Sequence, residues 1–182
     1  MKTLYVNYAG SEKRVAIEEK KKIVEFLWKR NEEQEIVGHI YVGRVVRTIA
    51  GMNAAFVNIG LEKHAYLSYD DVPSSYRIHE GQAILVQVVK EAIDTKGPKL
   101  TANIEFTGKY VVYMPFDEMR AVSRKIKNNK RRQQLLQIEI EGTGGYIFRS
   151  ASEKGAIEEI QAEMQGLQQL YEELKRKEGQ GK

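Results

Sequence analysis

Two aromatic residues, Phe56 and Tyr66, stand in the stretch NAAFVNIGLEKHAYL (residues 53–67), where polar and apolar side chains alternate. An exposed aromatic ring can stack on a nucleobase, and this contact tolerates any base because every base has a π-face. Lys63 and His64 in the same stretch can hydrogen-bond a base edge or a phosphate. Together these residue types suit a surface that binds single-stranded nucleic acid.

The alternation predicts the two strands of a β-hairpin that hold these side chains on one face. With a three-residue loop, a common hairpin length, Phe56 lies opposite Tyr66. Asn58 then lies opposite His64, and Gly60 supplies the positive φ of the turn. The other face carries the core residues Val57, Ile59, Ala65 and Leu67. Two interpretations of the aromatic face stay open: a base-stacking surface, or a face covered by another element of a two-layer protein.

A second chemical feature is the basic run MRAVSRKIKNNKRR (residues 119–132), which contains seven basic residues and no acidic one. A cluster of one sign is typical of a polyanion-binding surface. The alternative is a solvated helix face, because the run follows a strand that ends at Pro115 and is predicted to be helical. The net charge of the whole chain is only +4, so positive charge is concentrated in this run.

Composition excludes several function classes. The chain has 182 residues, of which 42% are hydrophobic and 30% charged, an ordinary balance for a folded protein of one or two domains. The absence of cysteine excludes disulfides, thiolate metal sites and cysteine nucleophiles. No apolar run is long enough to span a bilayer and no signal peptide follows Met1, so we expect no membrane role and a cytoplasmic location. The pair Asp70 and Asp71 predicts a turn rather than a metal site, because neighbouring side chains point apart.

The predicted fold class is α+β. Three strand-like segments open the chain within residues 1–37, and the polar run NEEQEIVGH (31–39) marks a boundary. Residues 38–104 hold five short strands with an aromatic and basic outer face, which predicts a Greek-key barrel of the OB type. Residues 105–182 hold further strands, the basic run and a C-terminal helix, which predicts a small α/β region.

The C-terminal helix carries one apolar stripe at alternating spacings of three and four residues, formed by Ile157, Ile160, Met164, Leu167, Tyr171 and Leu174. The stripe is shorter than three heptads, which favours a docking helix over a sustained coiled coil. It is a candidate contact for a second copy of the chain or for another protein. The terminal residues KRKEGQGK (175–182) are predicted to be disordered.

The segment HIYVGRVVRTIAGMNAAFVNIGLEKHAYLSYDDV (39–72) resembles the RNA-binding OB domain, of the S-one type, that occurs in the ribonuclease E/G family. Its marks are IYVGRV, AAFVNIG and KHAYL, followed by EGQAILVQVVKE and KGPKLT. GKYVVYMP, VSRKI and GGYIFRSA resemble the family's next segments in the same order. The ordered set covers nearly the whole chain to about residue 155, and residues 1–37 match part of the family's RNase H-like scaffold.

The resemblance implies which side chains contact RNA. In the family, the aromatics matching Phe56 and Tyr66 and a lysine matching Lys96 contact single-stranded RNA. In this sequence Lys63 and His64 lie beside them. Lys96 stands in the turn DTKGPK, where the alternative is a solvated lysine without a ligand.

The resemblance also implies a 5′-sensor, the family's segment that recognises a 5′-monophosphate. The matching residues are Arg149 and Ser150, where the family usually has Arg-Thr, together with Val122 and Arg124 in RAVSR. Serine keeps the hydroxyl donor of threonine. The alternative for Arg149 is an ion pair with Glu153.

The basic run departs from the family's pattern at one place. Met119 and Arg120 stand where the family usually has glycines. Their side chains would narrow the phosphate pocket or add a charge to it.

Family enzymes cut RNA with metal-bound carboxylates. The resemblance assigns these carboxylates, their magnesium and a cysteine-bound zinc site to later segments that this chain does not match. We therefore expect the N-terminal half of an endoribonuclease, with no cofactor of its own and no activity alone, that binds single-stranded RNA and senses a 5′-monophosphate in RNA processing and decay. The alternative is a stand-alone OB-fold protein that docks on RNA, ribosomes or RNA-decay partners through the 157–174 helix.

Overall fold

The computed structural model of the chain describes residues 2–9, 12–30, 35–139 and 142–180. The predicted boundary run lies partly outside the described residues, which do not include 31–34. The chain forms two compact units, Met1–Ile36 and Val37–Lys182. The predicted barrel and the region that follows it both belong to the second unit.

The first unit is an antiparallel meander of three strands, β1 (Lys2–Ala9), β2 (Glu12–Glu19) and β3 (Lys22–Arg30), with β2 in the centre. The three predicted opening strands are therefore confirmed. Leu4 and Val6 on one face of this sheet, and Tyr5 on the other, are each more than half exposed. This unit contributes none of the predicted site residues.

The second unit begins with a closed five-stranded barrel. Its strands are β4 (Ile40–Ile49), β5 (Ala54–Asn58), β6 (Ala65–Ser68), β7 (Ala83–Lys90) and β8 (Lys99–Thr101). Around the barrel the order is β4, β5, β6, β8, β7; the β6–β8 pair is parallel and the other pairs are antiparallel. This is a Greek-key barrel of the predicted OB type.

The hairpin of β5 and β6 has the predicted register. Phe56 is the cross-strand partner of Tyr66, and all four predicted core residues are less than 10% exposed. The connecting loop is longer than predicted, because pairing stops at Val57 and Ala65. The Asn58 side chain instead accepts a hydrogen bond of 2.8 Å from the backbone N–H of Gly60, whose φ is 84°. Asn58 therefore caps the turn and does not lie opposite His64 as a second cross-strand pair.

A four-stranded sheet and two helices follow the barrel. The strands are β9 (Phe106–Thr107), β10 (Val111–Met114), β11 (Arg120–Val122) and β12 (Gly145–Phe148), in the order β11, β12, β10, β9. The helices are α1 (Asn129–Leu136) and α2 (Ile157–Gly179). Strands β11 and β12 are parallel, so both leave the sheet at the same edge. The predicted α+β class is confirmed.

Helix α2 buries its apolar stripe within the second unit. Ile160, Met164 and Tyr171 belong to a core cluster that also contains Tyr113 of β10 and Leu85 of the barrel. Most of the stripe is therefore packed in the chain's own core, and a contact of the 157–174 helix with a second copy or another protein stays a prediction. In the described part of the chain, no helix combines the length and apolarity needed to cross a membrane.

The last turns of α2 correct the prediction of a disordered tail. The helix continues to Gly179, and Glu178, only 9% exposed, accepts a hydrogen bond of 2.8 Å from the backbone N–H of Leu85. Lys175 pairs with the same carboxylate at 2.7 Å. These tertiary contacts fix residues 175–179 against the barrel and continue the helix; residues 181–182 lie outside the described residues.

Candidate nucleic-acid interface

A row of four side chains crosses the outer face of the barrel. Arg47 of β4 pairs with Phe56, Phe56 with Tyr66, and Tyr66 with Lys99 of β8. None of the four is buried, whereas the residues before and after Phe56 and Tyr66 on their strands are. Neighbouring strands lie about 4.8 Å apart, so the row spans roughly 14 Å. Two aromatic rings flanked by two cations are thereby aligned across four strands.

Arg47 enters this row because β4 contains a bulge. The register between β4 and β5 shifts between Val45 and Arg47, which leaves Val46 without a cross-strand partner. Strict alternation from the buried Val45 would have turned Arg47 toward the core, where an unpaired charge is costly. The bulge turns Arg47 outward, beside Phe56.

The row forms one side of a groove of about 830 Å³, which we call the barrel groove. All five predicted RNA-binding residues line it: Phe56, Lys63, His64, Tyr66 and Lys96. Its other lining residues were not predicted, namely Val46, Arg47, Met52, Thr95, Gly97 and Lys99. The aromatic face of the hairpin is therefore an open surface, which no other described element of this unit covers.

The two aromatic rings of the barrel groove are not coplanar. The ring centroids of Phe56 and Tyr66 are 6.3 Å apart, and the ring planes meet at 70°. Bases stacked on the two rings would lie in different planes. Paired bases in a duplex remain nearly parallel, whereas unpaired bases can splay apart. The geometry therefore suits a single strand.

The loop that carries Lys96 is held against the wall of the groove. Lys63 Nζ donates a hydrogen bond to the carbonyl of Asp94, and the N–H of Tyr66 donates to the carbonyl of Pro98 at 2.8 Å. Gly97 packs so closely that a Cβ at this position would overlap the carbonyl oxygen of His64. Lys96 therefore projects from a loop whose position is set by the strand bearing Tyr66.

The cations of the groove differ in whether a carboxylate of the protein already neutralises them. Lys99 forms an ion pair of 2.8 Å with Asp71, and the hydrogen bond to this carboxylate raises the pKa of Lys99. Arg47, Lys63 and Lys96 have exposed side chains. These three supply most of the positive charge that a phosphate backbone would meet.

The second candidate site lies where β11 and β12 leave the sheet, and we call it the β11–β12 edge (residues 123–124 and 149–150). Val122 pairs with Phe148, and the N–H of Ser123 donates to the carbonyl of Phe148 at 2.8 Å. The structure thus brings three predicted residues, Arg124, Arg149 and Ser150, to one edge with exposed side chains. Val122 is only 7% exposed, so its side chain lies in the core, and its part in phosphate binding stays a prediction.

Arg149 is held by the loop that precedes β10. Its guanidinium donates through Nη1 to the carbonyl of Gly108, and its N–H donates to the carbonyl of Tyr110 at 2.7 Å. Among the described residues, it forms no ion pair with Glu153, the alternative considered from sequence. Ser152, fully buried, donates to the same Tyr110 carbonyl at 2.6 Å. The guanidinium is oriented by a neutral acceptor and keeps its other donors for an anion.

The basic run was predicted to be one helix. In the structure it forms β11, a turn and the first part of α1. Arg131 donates to the carbonyl of Ser152 through Nε at 3.0 Å and Nη2 at 2.6 Å. Arg132 donates to the carbonyls of Ser123 at 2.9 Å and Ile126 at 3.1 Å. These two arginines stabilise the turns around the β11–β12 edge. The exposed cations of the run are Arg124, Lys125, Lys127 and Lys130. Arg120 is also exposed, but its guanidinium donates hydrogen bonds to backbone carbonyls.

Arg120 and Met119 lie at the opposite end of β11 from the β11–β12 edge. Arg120 Nη1 donates to the carbonyl of Leu136, the last residue of α1, at 3.5 Å and to that of Ile138, just after the helix, at 3.4 Å. Met119 is 47% exposed, and its carbonyl accepts from the N–H of Tyr146 at 2.8 Å. Both residues therefore serve the packing of this end of the sheet, and neither adds a charge at Arg149.

Carboxylates do not gather into a metal site in the described ranges. No group of three or more histidine, cysteine, aspartate or glutamate residues lies in an arrangement that could hold a metal ion there. Asp70 and Asp71 occupy a single 3-10 turn (Tyr69–Asp71), as predicted for a turn signal. Asp71 pairs with Lys99, and Asp70 accepts from the side chain of Asn53 at 3.4 Å.

Comparison with known proteins relates both units to one family. Residues 105–182 match the model described as "Ribonuclease E/G family". "Ribonuclease G" of Haemophilus influenzae is 35% identical over 192 residues, which covers 94% of this chain and 39% of that protein. "Ribonuclease G" of Escherichia coli K12 is 34% identical over 189 residues, covering 92% and 39%.

"Ribonuclease E" of Synechocystis is 32% identical over 181 residues, covering 88% of this chain and 27% of that protein. The chain thus spans well under half the length of the curated relatives it matches. The similarity runs through nearly the whole chain, and the chain belongs to the ribonuclease E/G family.

Proposed function

We propose that this chain binds single-stranded RNA in the barrel groove and holds a 5′-monophosphate at the β11–β12 edge. It would do so in the cytoplasm, as part of a ribonuclease E/G-like endoribonuclease that acts in RNA processing and decay. The observation that carries the proposal is the cross-strand row of Arg47, Phe56, Tyr66 and Lys99, which lines an open groove with the predicted Lys63, His64 and Lys96.

The groove offers RNA two kinds of contact. Each base stacked on an aromatic ring contributes about 1–3 kcal/mol with little dependence on sequence. The exposed cations Arg47, Lys63 and Lys96 lie around the rings and can neutralise backbone phosphates. Stacking thus supplies the preference for unpaired bases, and the cations supply attraction to any RNA.

Cleavage itself would need groups that the described residues do not bring together. In the family that the chain resembles, metal-bound carboxylates carry out hydrolysis, and a metal-assisted mechanism requires converging oxygen ligands. We propose that this chain positions RNA for such a centre and contributes no metal ligand to it. The magnesium and any structural zinc would be held elsewhere in the enzyme.

Single-stranded RNA should bind the chain at least about tenfold more tightly than the same sequence in a duplex, because only unpaired bases reach Phe56 and Tyr66. Fluorescence anisotropy with one labelled strand, alone and annealed to its complement, measures this difference. Equal affinity for the two forms would show that phosphate contacts dominate and that the rings do not bind bases.

The 5′ end should be distinguished by Arg149. A terminal monophosphate carries about −1.5 to −2 charges near pH 7, against one for an internal phosphate, and it offers three acceptor oxygens. Arg149 can meet it with a forked pair of donors while Ser150 adds a hydroxyl. We expect the wild-type chain to bind a short RNA with a 5′-monophosphate about tenfold more tightly than the 5′-hydroxyl form.

Arg149→Ala should bind both forms with the affinity that the wild-type chain has for the 5′-hydroxyl RNA. Lys154→Ala is the matched control, because it removes an exposed positive charge from the same turn without touching the Gly108 carbonyl. If the wild-type chain binds both RNAs equally, the β11–β12 edge is not a phosphate site in this chain.

A further inference from the structure

Glu163 of α2 places its carboxylate among three consecutive backbone N–H groups of the loop before β10. Oε1 accepts from Lys109 at 2.6 Å, and Oε2 accepts from Tyr110 at 2.7 Å and Val111 at 2.9 Å. The loop approaches so closely that a Cβ on Gly108 would lie 2.5 Å from the carboxylate. Successive N–H groups that converge on one anion form a nest, and here the anion is a side chain of the same protein.

The amides bound by Glu163 are the same amides that hold Arg149. The N–H of Lys109 and the carbonyl of Gly108 belong to one peptide group, and that carbonyl accepts from the Arg149 guanidinium. The N–H of Val111 and the carbonyl of Tyr110 belong to another, and that carbonyl accepts from the Arg149 N–H. Each peptide group is thus bound by the carboxylate on one side and by Arg149 on the other. Hydrogen bonds in such a chain polarise and strengthen one another.

We propose that Glu163 is a positioning residue for Arg149 in the recognition of a terminal phosphate. The inference rests on the proposed function of the β11–β12 edge and adds a residue that sequence resemblance did not indicate. Glu163 acts through the peptide groups of residues 108–111 and contacts no ligand. The carboxylate orients the guanidinium through neutral carbonyls, so Arg149 forms no direct ion pair with Glu163 that would occupy its remaining donors.

Glu159 provides a matched comparison on the same helix, one turn before Glu163. Its carboxylate accepts from the phenol of Tyr110 at 2.7 Å, and this hydrogen bond lowers the pKa of Glu159. It therefore contacts the same loop residue as Glu163 but not the peptide groups that hold Arg149. A merely structural role of these carboxylates predicts similar effects of the two substitutions, whereas positioning predicts different ones.

The test compares Glu163→Gln with Glu159→Gln in the full chain. The glutamine amide presents an N–H₂ donor to at least one backbone N–H, so the nest can no longer close on it. We expect Glu163→Gln to reduce the preference for 5′-monophosphate over 5′-hydroxyl RNA by about tenfold, toward that of Arg149→Ala. Its affinity for the 5′-hydroxyl RNA should be unchanged. Glu159→Gln should keep the full preference, and an equal loss in both variants would overturn the proposal.

Gly108→Ala perturbs the contact between the Glu163 carboxylate and the peptide groups that bind Arg149, and it removes no charge. This second variant keeps the proposal testable if Glu163→Gln does not fold. Its methyl group would displace the flexible carboxylate and leave the backbone of the loop in place. The preference for the 5′-monophosphate should fall as in Glu163→Gln. A Gly108→Ala chain that folds and keeps the wild-type preference would contradict the proposed link.

A second readout separates this inference from the proposed function. The side-chain Nε–H signal of Arg149 in an NMR spectrum of the free protein reports how firmly the guanidinium is held. We expect it to shift and exchange faster in Glu163→Gln but not in Glu159→Gln. If the wild-type chain does not distinguish the two RNAs yet this signal responds to Glu163→Gln, the phosphate site is wrong and the positioning stands. If the signal does not respond, the positioning is wrong whatever the RNA data show.

Discussion

The double substitution Phe56→Ala and Tyr66→Ala will weaken binding of single-stranded RNA by at least about 30-fold, because each stacked base contributes ~1–3 kcal/mol. The barrel should keep its fold, since the adjacent Val57 and Leu67 form the core and are fully buried. Anisotropy titrations and a thermal melt of the same samples measure both quantities. The 5′-monophosphate preference should survive, because the β11–β12 edge does not involve these rings.

The control for this result is Phe26→Ala, which removes an aromatic ring that is 60% exposed in the first unit. It should leave RNA affinity unchanged, because Phe26 does not line the barrel groove. A comparable loss of RNA affinity in Phe26→Ala would mean that exposed aromatic side chains bind RNA wherever they lie on the protein. A double variant with wild-type affinity would show that the groove is not the RNA site.

Gly97→Ala should have the second largest effect, on both stability and binding. The new Cβ would overlap the carbonyl of His64, so the loop or the start of β6 must move. Overpacking of this kind costs about 1–3 kcal/mol of unfolding free energy. The same movement displaces Lys96 and strains the hydrogen bond from Tyr66 to Pro98, so RNA affinity should fall by more than about tenfold.

Gly51→Ala is the matched control for Gly97→Ala. Gly51 lies beside Met52 of the groove, and a Cβ there meets no atom within 4 Å. Its melting temperature and RNA affinity should equal those of the wild-type chain. Wild-type values for Gly97→Ala as well would show that the loop carrying Lys96 adapts freely and that its position does not matter for binding.

The central part of the site could be predicted from sequence because it depends on local alternation. Side chains on a strand alternate with a period of two, so the buried residues of the hairpin determine the face of Phe56 and Tyr66. The register of the two strands followed from the same residues and was confirmed. Only the loop differed, because the Asn58 side chain binds the turn and ends the pairing early.

The cations at the two ends of the row depend on features that local patterns do not reveal. Arg47 faces outward because of the bulge at Val46, and the only sequence signal for the bulge is a charged residue at a position that alternation assigns to the core. Lys99 reaches Tyr66 through the parallel pairing of β6 and β8, strands that are distant along the chain. Such pairing is set by the closure of the whole barrel.

Tertiary hydrogen bonds also explain two of the differences outside the barrel. The carbonyl that Arg131 binds belongs to Ser152, 21 residues further along the chain, so charge composition alone suggested a solvated or ligand-binding cation. Residues 175–182 are polar enough that the sequence predicted disorder. Glu178, however, accepts a hydrogen bond from the N–H of Leu85, which lies 93 residues earlier in the chain. In both cases a polar side chain is used to satisfy a backbone group of the fold.

The engagement of Arg131 and Arg132 with backbone carbonyls has a consequence for counterions. RNA carries condensed counterions, and binding releases them only where a cation of the protein neutralises a phosphate; each such contact steepens the salt dependence by about 0.7 for single strands. Arginines already bonded inside the unit contribute little to this release. The ionic-strength response of the chain will therefore be set by its exposed cations, which include Arg47, Lys63 and Lys96 of the groove and Arg124, Lys125, Lys127 and Lys130 of the basic run. It will be shallower than the density of basic residues in 119–132 suggests.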